Sequence, residues 1–199
     1  MKHSRTQELF EYWNALRGTR AAPDRIELEP AAMVHLLRDV FLLERRPSGA
    51  TTVRLAGTRI CELFGRELKG NGFLDLWRPE NRPDLCEILH AVAHEAAAAV
   101  VGATARAQDR DAWPVEILML PLGSRTRDHV LGLAASDSLP AWFLVHPVLE
   151  LELVTMRLSW PSDGHDGGRA LPVHGERPVL AHPGARRIGR FLVYEGGQL

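Results

Sequence analysis

The sequence predicts an α+β protein, and three observations carry that prediction. A strand pattern at residues 40–44 and an alternating one at 51–56 flank a Pro47-Ser48-Gly49 turn, as in an antiparallel strand pair whose second strand is half solvated. One long helical pattern covers residues 84–101 and is followed by three more strand patterns. Between them lies the most informative stretch, residues 55–70, where Gly57, Gly65 and Gly70 cut amphipathic sequence into short pieces.

The chain opens with a helical pattern over residues 4–17. Ser4 and Gln7 suit a capping box, Leu9, Phe10, Trp13 and Leu16 form an apolar stripe beside Tyr12, and Gly18 is placed as the stop. A helix of this length is marginal alone, so its stripe must bury against the chain's own sheet or a second copy. Pro30 is set to begin a second helix with Met33, Val34, Leu36 and Leu37 inside. In the strand at 51–56, Val53 and Leu55 are expected on the buried face and Thr52 and Arg54 on the other.

Ile60, Leu63 and Phe64 share one face of a short helix, and Phe73, Leu74, Leu76 and Trp77 make a further apolar turn. Leu85, Ile88, Leu89, Val92 and Ala93 give the inner face of the long helix, whose end at residues 96–99 is rich in alanine. Strands follow at residues 102–107, 113–122 and 130–136; Gly132 inside the last marks a close backbone approach. Residues 148–158 add a strand or helix, and 191–194 a short strand. The division expected is a helical extension at 1–37, a core at 38–138, an added element at 139–160, and a Gly/Pro-rich loop and tail at 161–199.

Composition narrows the functional classes. In 199 residues, 24 Lys and Arg stand against 25 Asp and Glu, so no basic excess points to nucleic acid. No apolar run nears the roughly 20 residues of a membrane helix, so no membrane insertion is expected. The start Met1-Lys2-His3-Ser4-Arg5 shows no signal peptide. Cys61 and Cys86 make neither a disulfide framework nor a zinc cluster, and a reducing, cytoplasmic location is expected.

The phrase Glu62-Leu63-Phe64-Gly65-Arg66-Glu67-Leu68-Lys69-Gly70, then Phe73-Leu74-Asp75-Leu76 and Pro79-Glu80-Asn81-Arg82, resembles the helical crossover of PAS domains. Phe10-Glu11-Tyr12-Trp13 with Leu16-Arg17-Gly18, Arg20, Pro23 and Arg25, and Leu118-Met119-Leu120-Pro121-Leu122, are similar to a bacterial subfamily of largely stand-alone PAS proteins, the PAS_5-like group. The resemblance covers roughly residues 7–136. It implies a five-stranded antiparallel sheet with short helices and one long helix over one face. It implies a regulatory module that senses a small ligand or docks a signalling protein, and that dimerises through its N-terminal helix. The implied homodimer interface is Leu9, Phe10, Trp13 and Leu16. No output block accompanies the pattern, so a separate partner must carry the signal; a ligand-free interaction scaffold is the alternative.

The candidate ligand pocket is Arg59 as polar anchor with Phe64, Phe73, Trp77, Leu89, Leu118, Leu120 and Leu133 as apolar lining; Arg54 is the other anchor considered. A fully packed core is the competing reading, since sequence does not show voids. The residues name no cofactor. His90 and His94 sit on the helix that holds the ligand in haem-sensing PAS proteins, but on its flank. Cys61 lacks the motif of flavin light sensors. Neither haem nor flavin is expected.

Arg186, Arg187 and Arg190 echo an arginine pair of PilZ nucleotide sites without the companion motif. His165, His174 and His182 with Asp163 and Asp166 match no standard metal spacing. No nucleophile elbow, P-loop, dinucleotide fingerprint or zincin helix is present, and no enzymatic activity is expected.

Overall fold

The structure, a computed structural model, describes residues 1–123 and 128–160, with the backbone of Ala185–Ile188 and Phe191–Tyr194. The elements run α1 (Ser4–Arg17), β1 (Val40–Arg45), β2 (Thr51–Ala56), α2 (Thr58–Phe64), α3 (Arg82–Glu95), β3 (Ala98–Ala107), β4 (Trp113–Leu122), β5 (His129–Ala135) and β6 (Val148–Ser159). A small hairpin follows, β7 (Ala185–Ile188) with β8 (Phe191–Tyr194). Short 3₁₀ turns bridge α1 to β1 and α2 to α3.

One antiparallel sheet, ordered β2-β1-β5-β4-β3-β6, organises the molecule. It has one strand more than expected, because residues 148–159 pair with β3 along almost its whole length. Leu149 and Val154 are the extra residues at the two irregularities of that pairing and are both exposed, as bulged positions on an edge strand commonly are.

Central β4 faces two cores. Val115, Ile117 and Met119 join the cluster formed with α2, α3 and Phe73. Leu118, Leu120 and Leu122 join a second cluster on the opposite face, with Leu9 and Trp13 of α1. A strand buried on both sides reads as a continuous apolar run, not an alternation. Helices therefore cover both faces of the sheet, whereas the expectation placed them over one.

Several local expectations hold. The α3 residues Leu85, Ile88, Leu89, Val92 and Ala93 are all buried. Gly132 is required by packing: a Cβ there would lie 2.1 Å from the ring of Phe41, which crosses β5 at that point. Residues 191–194 do form a strand.

Others are corrected. Helix α3 ends at Glu95, because Ala96 takes the left-handed conformation (φ 59°) and donates its amide to Ala91. The alanines that follow become a strand, paired between β4 and β6, with Ala99, Val101, Ala103 and Ala105 packed into the inner core; pairing on two sides overrides helix propensity. The Pro30 segment is a 3₁₀ turn, Pro30–Met33, and leaves Val34 exposed and Leu37 on the margin. Leu55 is 51% exposed, because Arg54 is an extra residue opposite Leu42 and Leu43 and turns Leu55 outward. Helix α1 is capped by His3, whose ring accepts from the Arg5 amide, rather than by a Ser4 box.

Leu9 and Trp13 pack on the chain's own sheet at 0% and 1% exposure, which corrects the expectation that they face a second copy. The Trp13 Nε1–H donates to the Pro121 carbonyl at 2.8 Å, anchoring α1 over β4. Phe10 and Leu16 are half-buried. Trp13→Ala is expected to lower stability by about 3–5 kcal/mol. Trp13→Phe, which keeps most of the burial and loses the hydrogen bond, should lower it by about 1–3 kcal/mol. Urea denaturation midpoints measure both, and equal losses would show that ring packing does not hold α1.

Candidate functional site

Two adjoining spaces lie against α2, and they differ in chemistry. The inner one, between sheet and helices, offers about 30 Å³ and is lined only by apolar side chains, among them Phe64 and Phe73. The outer one offers about 110 Å³ at the end of the sheet, where α1, α2, β4, β5 and the segment after β5 meet. Ile60, Leu63, Val115 and Ala134 form the shared wall.

Asp39 is the polar centre of the outer cleft. It ends the 3₁₀ turn Leu37–Asp39, and its side chain is 1% exposed. A carboxylate so buried must be paired. Arg5 of α1 donates through Nη1 to Oδ2 at 2.7 Å, and Arg59 of α2 donates through Nη1 to both oxygens at 2.9 and 3.1 Å. Local chain geometry makes this possible. Gly57 passes so close to Leu37 and Arg38 that a Cβ would lie 2.2 Å from the Leu37 carbonyl, and that approach brings α2 onto the turn carrying Asp39.

Aromatic groups close the other side. Trp113 donates Nε1–H to the Ser138 carbonyl at 2.8 Å, packs edge-on against Trp142, and lies tilted to Phe143. Trp113, Phe143 and Leu139 line the cleft.

A second carboxylate fastens the start of α1. Glu116 of β4 accepts from the amides of Lys2 and His3, at 2.9 and 3.2 Å, and from the Thr6 hydroxyl. Burial pushes the Glu116 carboxyl up, but the Thr6 hydroxyl and the two amides more than offset it, so the net shift is downward. A carboxyl whose folded pKa is lowered contributes stability above its unfolded value of about 4.3, lost as pH falls through the lower folded value.

The sequence-predicted pocket residues separate into three groups. Arg59 stands in the outer cleft, Phe64 and Phe73 line the inner space, and Trp77 and Leu89 pack in the same core without lining either space. Leu118, Leu120 and Leu133 face the other side of the sheet, beneath α1, because strand alternation puts them opposite Ile117 and Met119. Arg54 is directed to Glu44 at 3.6 Å. Sequence reasoning missed Asp39, Arg5, Glu116, Trp113 and Phe143. Its place in the charged pair Arg38-Asp39, between apolar Leu37 and Val40, was the one signal available for Asp39.

His90 and His94 are exposed on α3, with ring centroids 4.4 Å apart and the Arg45 guanidinium against His94. Burial and the neighbouring Glu67 carboxylate push the Cys61 thiol up, which keeps it protonated and poorly nucleophilic. Among the described residues, no group of three His, Cys, Asp or Glu side chains converges on a metal position. The tail histidines His165, His174 and His182, and Arg190, lie outside the described residues, as do the side chains of Arg186 and Arg187.

Among the described residues, no helix is long and apolar enough to cross a membrane. A family model described as a PAS domain matches residues 1–135. No curated protein matches the chain.

Glu116→Gln is expected to flatten the acid limb of the stability curve while changing stability at neutral pH by about 1.5–3 kcal/mol. Urea midpoints between pH 3 and 7 read this out, pH 3 lying below the reference carboxylate pKa. An unchanged acid limb would show that Glu116 does not titrate with unfolding.

Proposed function

The chain belongs to the PAS domain family, and on that premise we propose that it is a sensory module that binds a small ligand and signals through a separate output protein. It performs no chemistry of its own on this reading. The observation that carries it is the Asp39 cleft, because the two arginines paired with Asp39 come from α1 and from α2. An occupant that alters the pairing of Arg5 with Asp39 alters how α1 is held on the sheet. Ligand energy is thereby coupled to the element that covers the outer face.

Native mass spectrometry, with mass analysis of the denatured supernatant, tests the reading. The expected outcome is a retained small molecule whose removal speeds amide exchange in α1. A protein without any retained molecule, and with α1 exchange insensitive to the host's small-molecule extract, would sink it.

One observation favours a second reading. The inner space between the sheet, α2 and the Phe73 turn is about 30 Å³ and all apolar, as a ligand-free scaffold for a protein partner would have it. On either reading the module is a homodimer acting in the cytoplasm. Phe10 and Leu16 are the members of the α1 stripe still partly accessible for that contact. The double variant Phe10→Glu, Leu16→Glu should be monomeric by light scattering, and an unaltered dimer would remove α1 from the interface.

A further inference from the structure

Resting on the ligand-sensing reading, we infer that the Asp39 cleft takes a monoanionic carboxylate carrying a flat apolar body of about benzoate size. Charge selects the sign. Asp39 offsets one of the two guanidinium groups it pairs with, so one positive charge remains. Asp137, on the rim, is wholly exposed and solvated.

Geometry selects the head group. Arg59 spends a single nitrogen on Asp39, and among the described residues no hydrogen bond uses its Nε or Nη2. Arg5 likewise donates to Asp39 through Nη1 alone. The unused Nε/Nη2 edge is the fork that matches a carboxylate bidentately. The other polar groups nearby satisfy one another: the Ser138 carbonyl accepts from Trp113 and from Ser136.

Volume and lining select the body. Trp113, Phe143 and Leu139 form an apolar wall beside about 110 Å³ of space. A cavity of roughly 150 Å³ holds benzene, whereas drug-sized ligands need about 300–1,000 Å³. At about 110 Å³ the cleft is smaller than that benzene cavity, so it takes one small ring only in part, with the carboxylate on Arg59 and the ring's outer edge in solvent. A phosphate dianion would bring more charge than the site offsets and would leave the aromatic wall unused.

Isothermal titration of the full chain with benzoate should give one saturable site. Benzyl alcohol, which lacks the charge, and inorganic phosphate, which lacks the ring, should give none. Arg59→Lys keeps a charge near Asp39 but loses the fork, and should weaken benzoate at least tenfold with circular dichroism unchanged. Ala134→Leu fills the cleft from β5 without touching a charge and should abolish binding.

No saturable benzoate binding, unchanged affinity in Arg59→Lys, or phosphate competing at the same site overturns the inference. If benzoate fails while Ala134→Leu expels the co-purified molecule sought above, the ligand class falls and the sensing reading stands. If Ala134→Leu leaves that molecule in place, sensing at this cleft falls with it.

Discussion

Strand β4 has to be covered twice, and most of the architecture follows from that. Its residues alternate between two cores, Val115, Ile117 and Met119 on one side and Leu118, Leu120 and Leu122 on the other. Exposing either set would cost on the order of 1.5–3 kcal/mol per side chain. The layer of α2, α3 and the Phe73 turn meets the first requirement, and α1 meets the second. Helix α1 is therefore part of the folded unit, and the family match beginning at residue 1 includes it. A stripe that reads in sequence as a surface for another molecule is taken up, through Leu9 and Trp13, by the chain itself.

Apolar cover alone does not fix where α1 sits, since a greasy stripe can slide on a greasy sheet. Three polar contacts set its register. Glu116 receives the Lys2 and His3 amides and the Thr6 hydroxyl at the start of α1, Asp39 receives Arg5 near that end, and the Pro121 carbonyl receives the Trp13 indole in its second half. Each acceptor belongs to the sheet or the turn leading into it. Such contacts add modest net stability while leaving them unmade is expensive, so they specify one placement. Thr6 has a single hydroxyl hydrogen and two oxygens within reach, the His3 carbonyl and Glu116; the charged acceptor is the stronger.

Element order was legible because local signals and tertiary packing agreed. The glycine-cut stretch after β2, the inner face of α3, and Gly132 beneath Phe41 all behave as their patterns demand. Where tertiary pairing wins, the reading shifts. The alanine run after Ala96 has helix propensity, yet β4 and β6 hold it as a strand. Leu55 fits a period of two until the bulge at Arg54 turns it outward. The site was less legible for a related reason. Leu118, Leu120 and Leu133 read as lining because they are apolar, but which sheet face a strand residue takes depends on register that only the assembled sheet supplies. Asp39 and Arg5 are 34 residues apart in sequence, and nothing local marks either as a partner for the other or for Arg59.

The relation between the two spaces bears on how signalling would work on the proposed reading. A ligand shifts an equilibrium only by as much as its affinity differs between the two states. The inner space is bounded by the sheet and by core side chains such as Phe64 and Phe73, so an occupant there would act on packing that is dense on all sides and resists small displacements. The outer cleft is bounded by guanidinium groups from two different helices that share one carboxylate. An anion there meets the positive charge that Asp39 leaves over, on the guanidinium edge that Asp39 does not use. Its binding energy changes between α1 docked and α1 shifted, because Arg5 moves with α1 while Arg59 stays with α2. Ile60, Leu63, Val115 and Ala134 separate the cleft from the core, so a response can begin at the α1 contact without first opening the interior.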